Sequence, residues 1–87
     1  MVQIKQLVWD NWNVGHIRRH KVDTREVEEA CRLALKTLKT YQGRLMILGK
    51  TKKGRLLTVV IAPISQNKHY VVTARDMSKK ERRISNG

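Results

Sequence analysis

The period of the apolar positions changes along the chain, and each change marks an element. Ile4 to Trp9 reads as a short strand. Asp10 ends it and caps a helix from Asn11 to about His20. Gly15 weakens that helix and permits close packing. After the Lys21-Val22 link, Asp23 or Thr24 caps a second helix, with Asp23 and Glu26 spaced as a capping box. Val27, Ala30, Cys31, Ala34, Leu35 and Leu38 then recur at helical spacing, which predicts a helix over 24–38. Tyr41-Gln42-Gly43 breaks it.

Beyond the break the period becomes that of strands. Arg44 to Leu48 is a strand, Gly49 to Gly54 a hairpin loop, and Arg55 to Ile61 a second strand. Residues 55–61 are apolar on both faces, which predicts a central position in a sheet. Pro63 stops that strand, residues 65–68 turn, and His69 to Ala74 forms the third strand of the meander. Ser78 with Glu81 is a capping box that opens a short basic helix. The order β-α-α-β-β-β-α predicts an α+β fold, with helices on one face of an antiparallel sheet. At 87 residues it makes one domain, 1–87, with a core of modest size.

Charge adds a direction to this outline. The formal net charge is +12, and residues 44–87 carry most of the surplus, with eleven Lys/Arg against two Asp/Glu. That asymmetry favours a polyanionic partner, nucleic acid first. A single cysteine, Cys31, excludes an internal disulfide framework and falls on the apolar helical stripe, where it reads as a small core residue. The usage fits a reducing cytoplasm. No apolar run approaches the roughly 20 residues of a membrane span, and the N-terminus lacks a signal-peptide pattern.

Three groups of residues are candidates for chemistry. His16 and His20 share a helix face at i, i+4, the geometry of a metal pair, although the arginines between them oppose a cation. Other readings make one of them a helix cap, or give one a proton-transfer or phosphate-contacting role. Arg44, Arg55, Arg75, Lys79, Lys80, Arg82 and Arg83 form the basic set. RNA cleavage without a metal needs the 2′-OH deprotonated, the phosphorane charge met and the 5′-oxygen protonated. A planar guanidinium suits the middle task, and Arg75 at a strand end is better immobilised than the helix lysines. Glu81 can orient Arg75, act as a base, or serve only its cap. Of the aromatics, Trp9 and Trp12 read as core and corner packing, and Tyr70 as a base-stacking residue if it faces outward.

Trp9-Asp10, Asn13, His16-Ile17, His20, Val22 and Glu26-Val27-Glu28-Glu29-Ala30 together resemble the opening of the BrnT-type toxin family. Gly54 to Val60 and Thr73 to Arg83 resemble its second half, so the resemblance runs from about Val8 to Arg83. It implies a RelE-like fold and a ribonuclease that inhibits translation. It also implies neutralisation by a cognate DNA-binding antitoxin encoded alongside. Lys21 stands where the family usually has a glycine in a positive-φ turn, and Ile84 follows Arg83 where the last helix commonly continues to a tyrosine. On this reading the chain is a metal-independent, cofactor-free endoribonuclease. Arg75, His20 and Glu81 are its catalytic residues, and Arg55, Lys79, Lys80, Arg82 and Arg83 are its RNA-binding residues. The partners expected are RNA, the antitoxin and, as an option, a second copy of the chain; no membrane is expected. The alternative is a non-catalytic RNA- or protein-binding module of the same fold.

Overall fold

A computed structural model describes residues 6–86. The elements are β1 (Gln6–Val8), α1 (Asn11–Arg18), α2 (Thr24–Arg32), β2 (Ala34–Lys39), β3 (Leu45–Lys50), β4 (Leu56–Pro63), β5 (Lys68–Asp76) and α3 (Lys79–Asn86). Of the strand expected over 4–9, Ile4 and Lys5 lie outside the described residues. The sheet has five strands in the order β1-β5-β4-β3-β2, which puts β4 at its centre, as its two apolar faces require. The meander β2-β3-β4-β5 is antiparallel, and β1 joins it in parallel beside β5.

The α+β class holds, with one strand more than the sequence predicts. The helix expected to reach Leu38 ends at Arg32, and Leu33 takes φ −102° and ψ 43°. Ala34 to Lys39 then pairs with β3. A hairpin connection joins the two strands, with Gln42 at φ 63° and Gly43 at φ 72°. Thr40 donates both its N–H and its hydroxyl to the Arg44 carbonyl, closing that turn. Two consecutive positive-φ residues give the backbone twist that tight hairpins need.

Each helix begins where the polar residues say it should. The Asp10 carboxylate accepts from Asn13 N, and the Asn13 side chain accepts from Asp10 N. Asp23 and Glu26 repeat the arrangement at α2, and Ser78 and Glu81 at α3. The end of α1 is equally defined. Val22 N donates to Ile17 O and Lys21 N to Arg18 O, a Schellman pattern with Lys21 at φ 59°.

The core lies between α1 and α2 and one face of the sheet. Ile17, Val22, Val27 and Ala30 meet Leu45, Ile47, Leu57, Val59, Ile61, Val71 and Ala74. Full burial of each large side chain here contributes about 1.5–3 kcal/mol. Gly49 lets α2 approach β3: a Cβ there would run into the Ala30 carbonyl. The buried side chain of Asn13 pins α1 to the sheet, its Nδ2 donating to Val8 O at 2.9 Å and Val71 O at 3.1 Å. On β3 and β4, Leu48 and Thr58 alternate with these core residues and face the other side. There α3 packs, bonded through Glu81 to Thr58, so α3 lies across the sheet from α1 and α2. Among the described residues no helix is long and apolar enough to cross a membrane.

Candidate functional site

The last two residues of β5 point to opposite faces of the sheet, and each organises an ion-pair network. Arg75 turns toward α3. Its Nη1 and Nη2 donate to Glu81 Oε1 and Oε2 at 2.7 and 2.9 Å, and Nη1 also donates to the Asp76 carbonyl. Glu81 Oε1 accepts further from Thr58 Oγ1 and Ser78 N, both at 2.8 Å. The Arg75 guanidinium, with the Ser78 and Thr58 donors, holds the Glu81 carboxyl far below its usual range, at about 2. The same pair pushes Arg75 upward, so its charge is fixed. Glu81 is thus a weak proton acceptor and a firm anchor.

Glu81 takes only the end of the Arg75 fork. No hydrogen bond among the described residues uses Arg75 Nε or the remaining Nη2 proton. These two donors lie along one edge of the guanidinium, a spacing that matches two phosphate oxygens. The Arg75 side chain is 40% exposed.

Arg55 is arranged differently. Nε and Nη2 donate to the two oxygens of Asp76, at 2.8 and 3.2 Å. Nη1 donates to Glu26 and to the Lys21 carbonyl, and Nη2 also reaches the His20 carbonyl. Its whole fork is spent tying the start of β4 to the α1–α2 link, α2 and the end of β5. The sequence assigns Arg55 to the RNA contacts as one of the basic set; its partners Glu26 and Asp76 are 29 and 21 residues away, so their convergence on it is a product of the fold. Arg55 first, then Arg82 and His20 from a distance, hold the Asp76 carboxyl low. His20 and Arg82 therefore flank this junction.

The remaining residues separate by position. Lys79, Lys80, Arg82 and Arg83 are exposed on α3, with no ion-pair partner among the described residues. Arg44 belongs to the far end of the sheet, where it lines a cavity of about 360 Å³ with Lys39 and His69. Cys31 packs against the core as expected; burial, with Glu28 nearby, pushes its thiol up to about 12, which leaves it unreactive. Trp9 also packs against the core. Trp12 does not: it is 61% exposed, so the packing expected of it is absent. Tyr70 donates its hydroxyl to the Asp10 carboxylate. The sequence signals missed Thr58, which faces Arg75 across the β4–β5 ladder; a threonine inside an apolar strand is a weak sign that its hydroxyl meets a charged group.

No protein-family model matches the chain, and no curated protein matches it in sequence. In fold it is similar to a solved structure, the ribonuclease toxin BrnT of Brucella abortus, with a TM-score of 0.68 and 23% sequence identity. The match covers 85% of this chain and 97% of that one. The chain thus has the BrnT fold.

Proposed function

We propose that this chain is a metal-independent endoribonuclease, acting as the toxin of a type II toxin–antitoxin pair and inhibiting translation. The observation that carries the reading is the half-occupied guanidinium of Arg75, locked at one end by Glu81 and open along the other edge. The shared fold with a ribonuclease toxin and the basic α3 support it.

In the proposed reaction the 2′-OH attacks the adjacent phosphorus as its proton leaves. The bond from phosphorus to the 5′-oxygen then breaks, and a proton goes to that oxygen. The products are a 2′,3′-cyclic phosphate and a 5′-hydroxyl. Arg75 binds two non-bridging oxygens and meets the charge that grows on them. His20 moves the protons. Glu81 is a positioning residue, since its carboxylate is already committed to Arg75, Thr58 and Ser78. Lys79, Lys80, Arg82 and Arg83 hold the RNA backbone, and Arg55 fastens the junction beneath them. A cognate antitoxin would cover this basic face.

The test is incubation of purified protein with RNA in EDTA. Cleavage that survives chelation is expected. Arg75→Lys, which keeps the charge and loses the fork, should cut the rate by about 10²–10³-fold with the thermal transition still cooperative. Undiminished cleavage by a folded Arg75→Ala protein would remove Arg75 from the mechanism. Salt-sensitive binding without cleavage would favour the non-catalytic module.

A further inference from the structure

Three rings line one face of α1 and its C-terminal turn at i, i+4 and i+8. The Trp12 indole stacks on His16 at 5.1 Å with the planes 5° apart, and His16 meets His20 edge-on at 5.8 Å. With His16 on one side, the 61% exposure of Trp12 lies on its other face and edges. A cleft of about 250 Å³ opens beside it, lined by Asn11, Trp12, Gly15, His16 and Arg19. Gly15 has no packing reason to be glycine: a Cβ there would meet nothing within 4 Å. Glycine inside a helix is destabilising, and its effect at this position is to leave the cleft floor bare.

We propose that Trp12, backed by His16 over the open floor at Gly15, is a stacking subsite for one base of a single-stranded RNA. This rests on the ribonuclease reading and adds a substrate-positioning site to it. The charge at the site selects the ligand. Residues 11–20 contain no carboxylate, and Arg18 and Arg19 are exposed. The preceding Asp10 is occupied by Asn13 and Tyr70. A flat π surface in a cationic setting fits a planar group carried on an anionic chain, which is a nucleotide. Two helical turns, about 11 Å, separate Trp12 from His20. The stacked base therefore belongs to a nucleotide flanking the reactive phosphate.

The experiment uses fully 2′-O-methylated single-stranded RNA octamers, which bind and cannot be cleaved. In a Trp9→Phe protein, where Trp12 is the sole tryptophan, titration should quench the fluorescence saturably. Trp12→Ala should weaken binding about five- to a hundred-fold, the equivalent of one lost stacking contact. The slope of log K against log salt should stay the same, because no charge is lost. Trp12→Phe should recover part of the affinity. Gly15→Leu should raise thermal stability, as leucine is the better helix former, yet weaken binding by filling the cleft. Wild-type affinity in Trp12→Ala, absence of quenching on binding, or a change of Trp12 emission only with a protein partner would overturn the subsite. Quenching with RNA but no cleavage of unmodified RNA would sink the ribonuclease reading and keep the subsite. Cleavage with an unaltered KM in Trp12→Ala would do the reverse.

Discussion

Arg55 and Arg75 show how little a residue type settles by itself. Both follow from strand ends and both pair with carboxylates, yet Arg55 has spent its fork and Arg75 keeps an edge. The pairing at Arg75 has a consequence for acid stability. Glu81 titrates at about 2 in the fold against 4.5 when free. A depressed carboxyl contributes stability above its unfolded value and loses it as pH falls through the folded one. The Arg75 partner is partly exposed, so the contribution is on the order of 2 kcal/mol. Glu81→Gln should therefore be less stable than the parent at pH 6, and the difference should shrink between about pH 4.5 and 2. Equal stabilities at pH 6 in chemical denaturation would contradict this. Lys21 is a second residue whose identity and conformation disagree. At φ 59° it occupies left-handed space, while its carbonyl serves Arg55. Lys21→Gly keeps the carbonyl and removes the Cβ penalty. Net of the entropy of glycine, the gain is about 0.5–1 kcal/mol, a few degrees in Tm. A lower Tm would show that the lysine side chain contributes something the hydrogen bonds do not reveal.

Between elements, α2 comes very close to β3 at Gly49. Gly49 lies so near the Ala30 carbonyl that an added methyl must move the helix or the strand, since all three contact atoms are Ala30 backbone. Gly49→Ala should cost roughly 2–3 kcal/mol, read as a fall in the denaturant midpoint with an unchanged m-value. A neutral result would mean that α2 slides at no cost. The same neighbourhood explains where sequence reading succeeded and failed. Caps are local, so Asp10, Asp23 and Ser78 were legible as helix starts, and the two-faced apolar run of β4 was legible as central. The stripe from Val27 to Leu38 was misleading. Its first half is a helix, while Ala34 to Lys39 satisfies its backbone through β3, a pairing that local periodicity does not encode. The available signal was Gln42-Gly43, a hairpin turn rather than a helix terminus, since a tight turn before one strand implies another strand before it. At the site, Arg75 with Glu81 and Ser78 was within reach of a local reading; Thr58, Glu26 and the exposure of Trp12 needed the sheet and helices assembled.

Across the whole molecule, charge is divided unevenly between internal and external use. The chain has seven Asp and Glu side chains, and each is engaged: Asp10, Asp23, Glu26, Glu28, Glu29, Asp76 and Glu81 all accept hydrogen bonds. Among the described residues only Arg55 and Arg75 form ion pairs. The other described lysines and arginines are exposed, Arg44 only half so, on a body of 30 × 28 × 22 Å. At 0.01 M salt the Debye length is about 30 Å, so each charge feels the rest; at 1 M it is about 3 Å. The close pairs, at 2.7–3.0 Å, are screened last. Salt should therefore relieve self-repulsion before it weakens the pairs, and the Tm of the free protein should rise by several degrees from 0.01 to 0.3 M NaCl. A bound polyanion reverses the sign. With a non-cleavable single-stranded RNA present, the added stability is greatest at low salt and declines as counterion release loses its advantage. The two melting curves should converge as salt rises. A Tm that falls with salt in the free protein would mean that the three ion pairs outweigh the surplus. The open cations on α3 would then be a solvated face rather than a surface kept ready for phosphate.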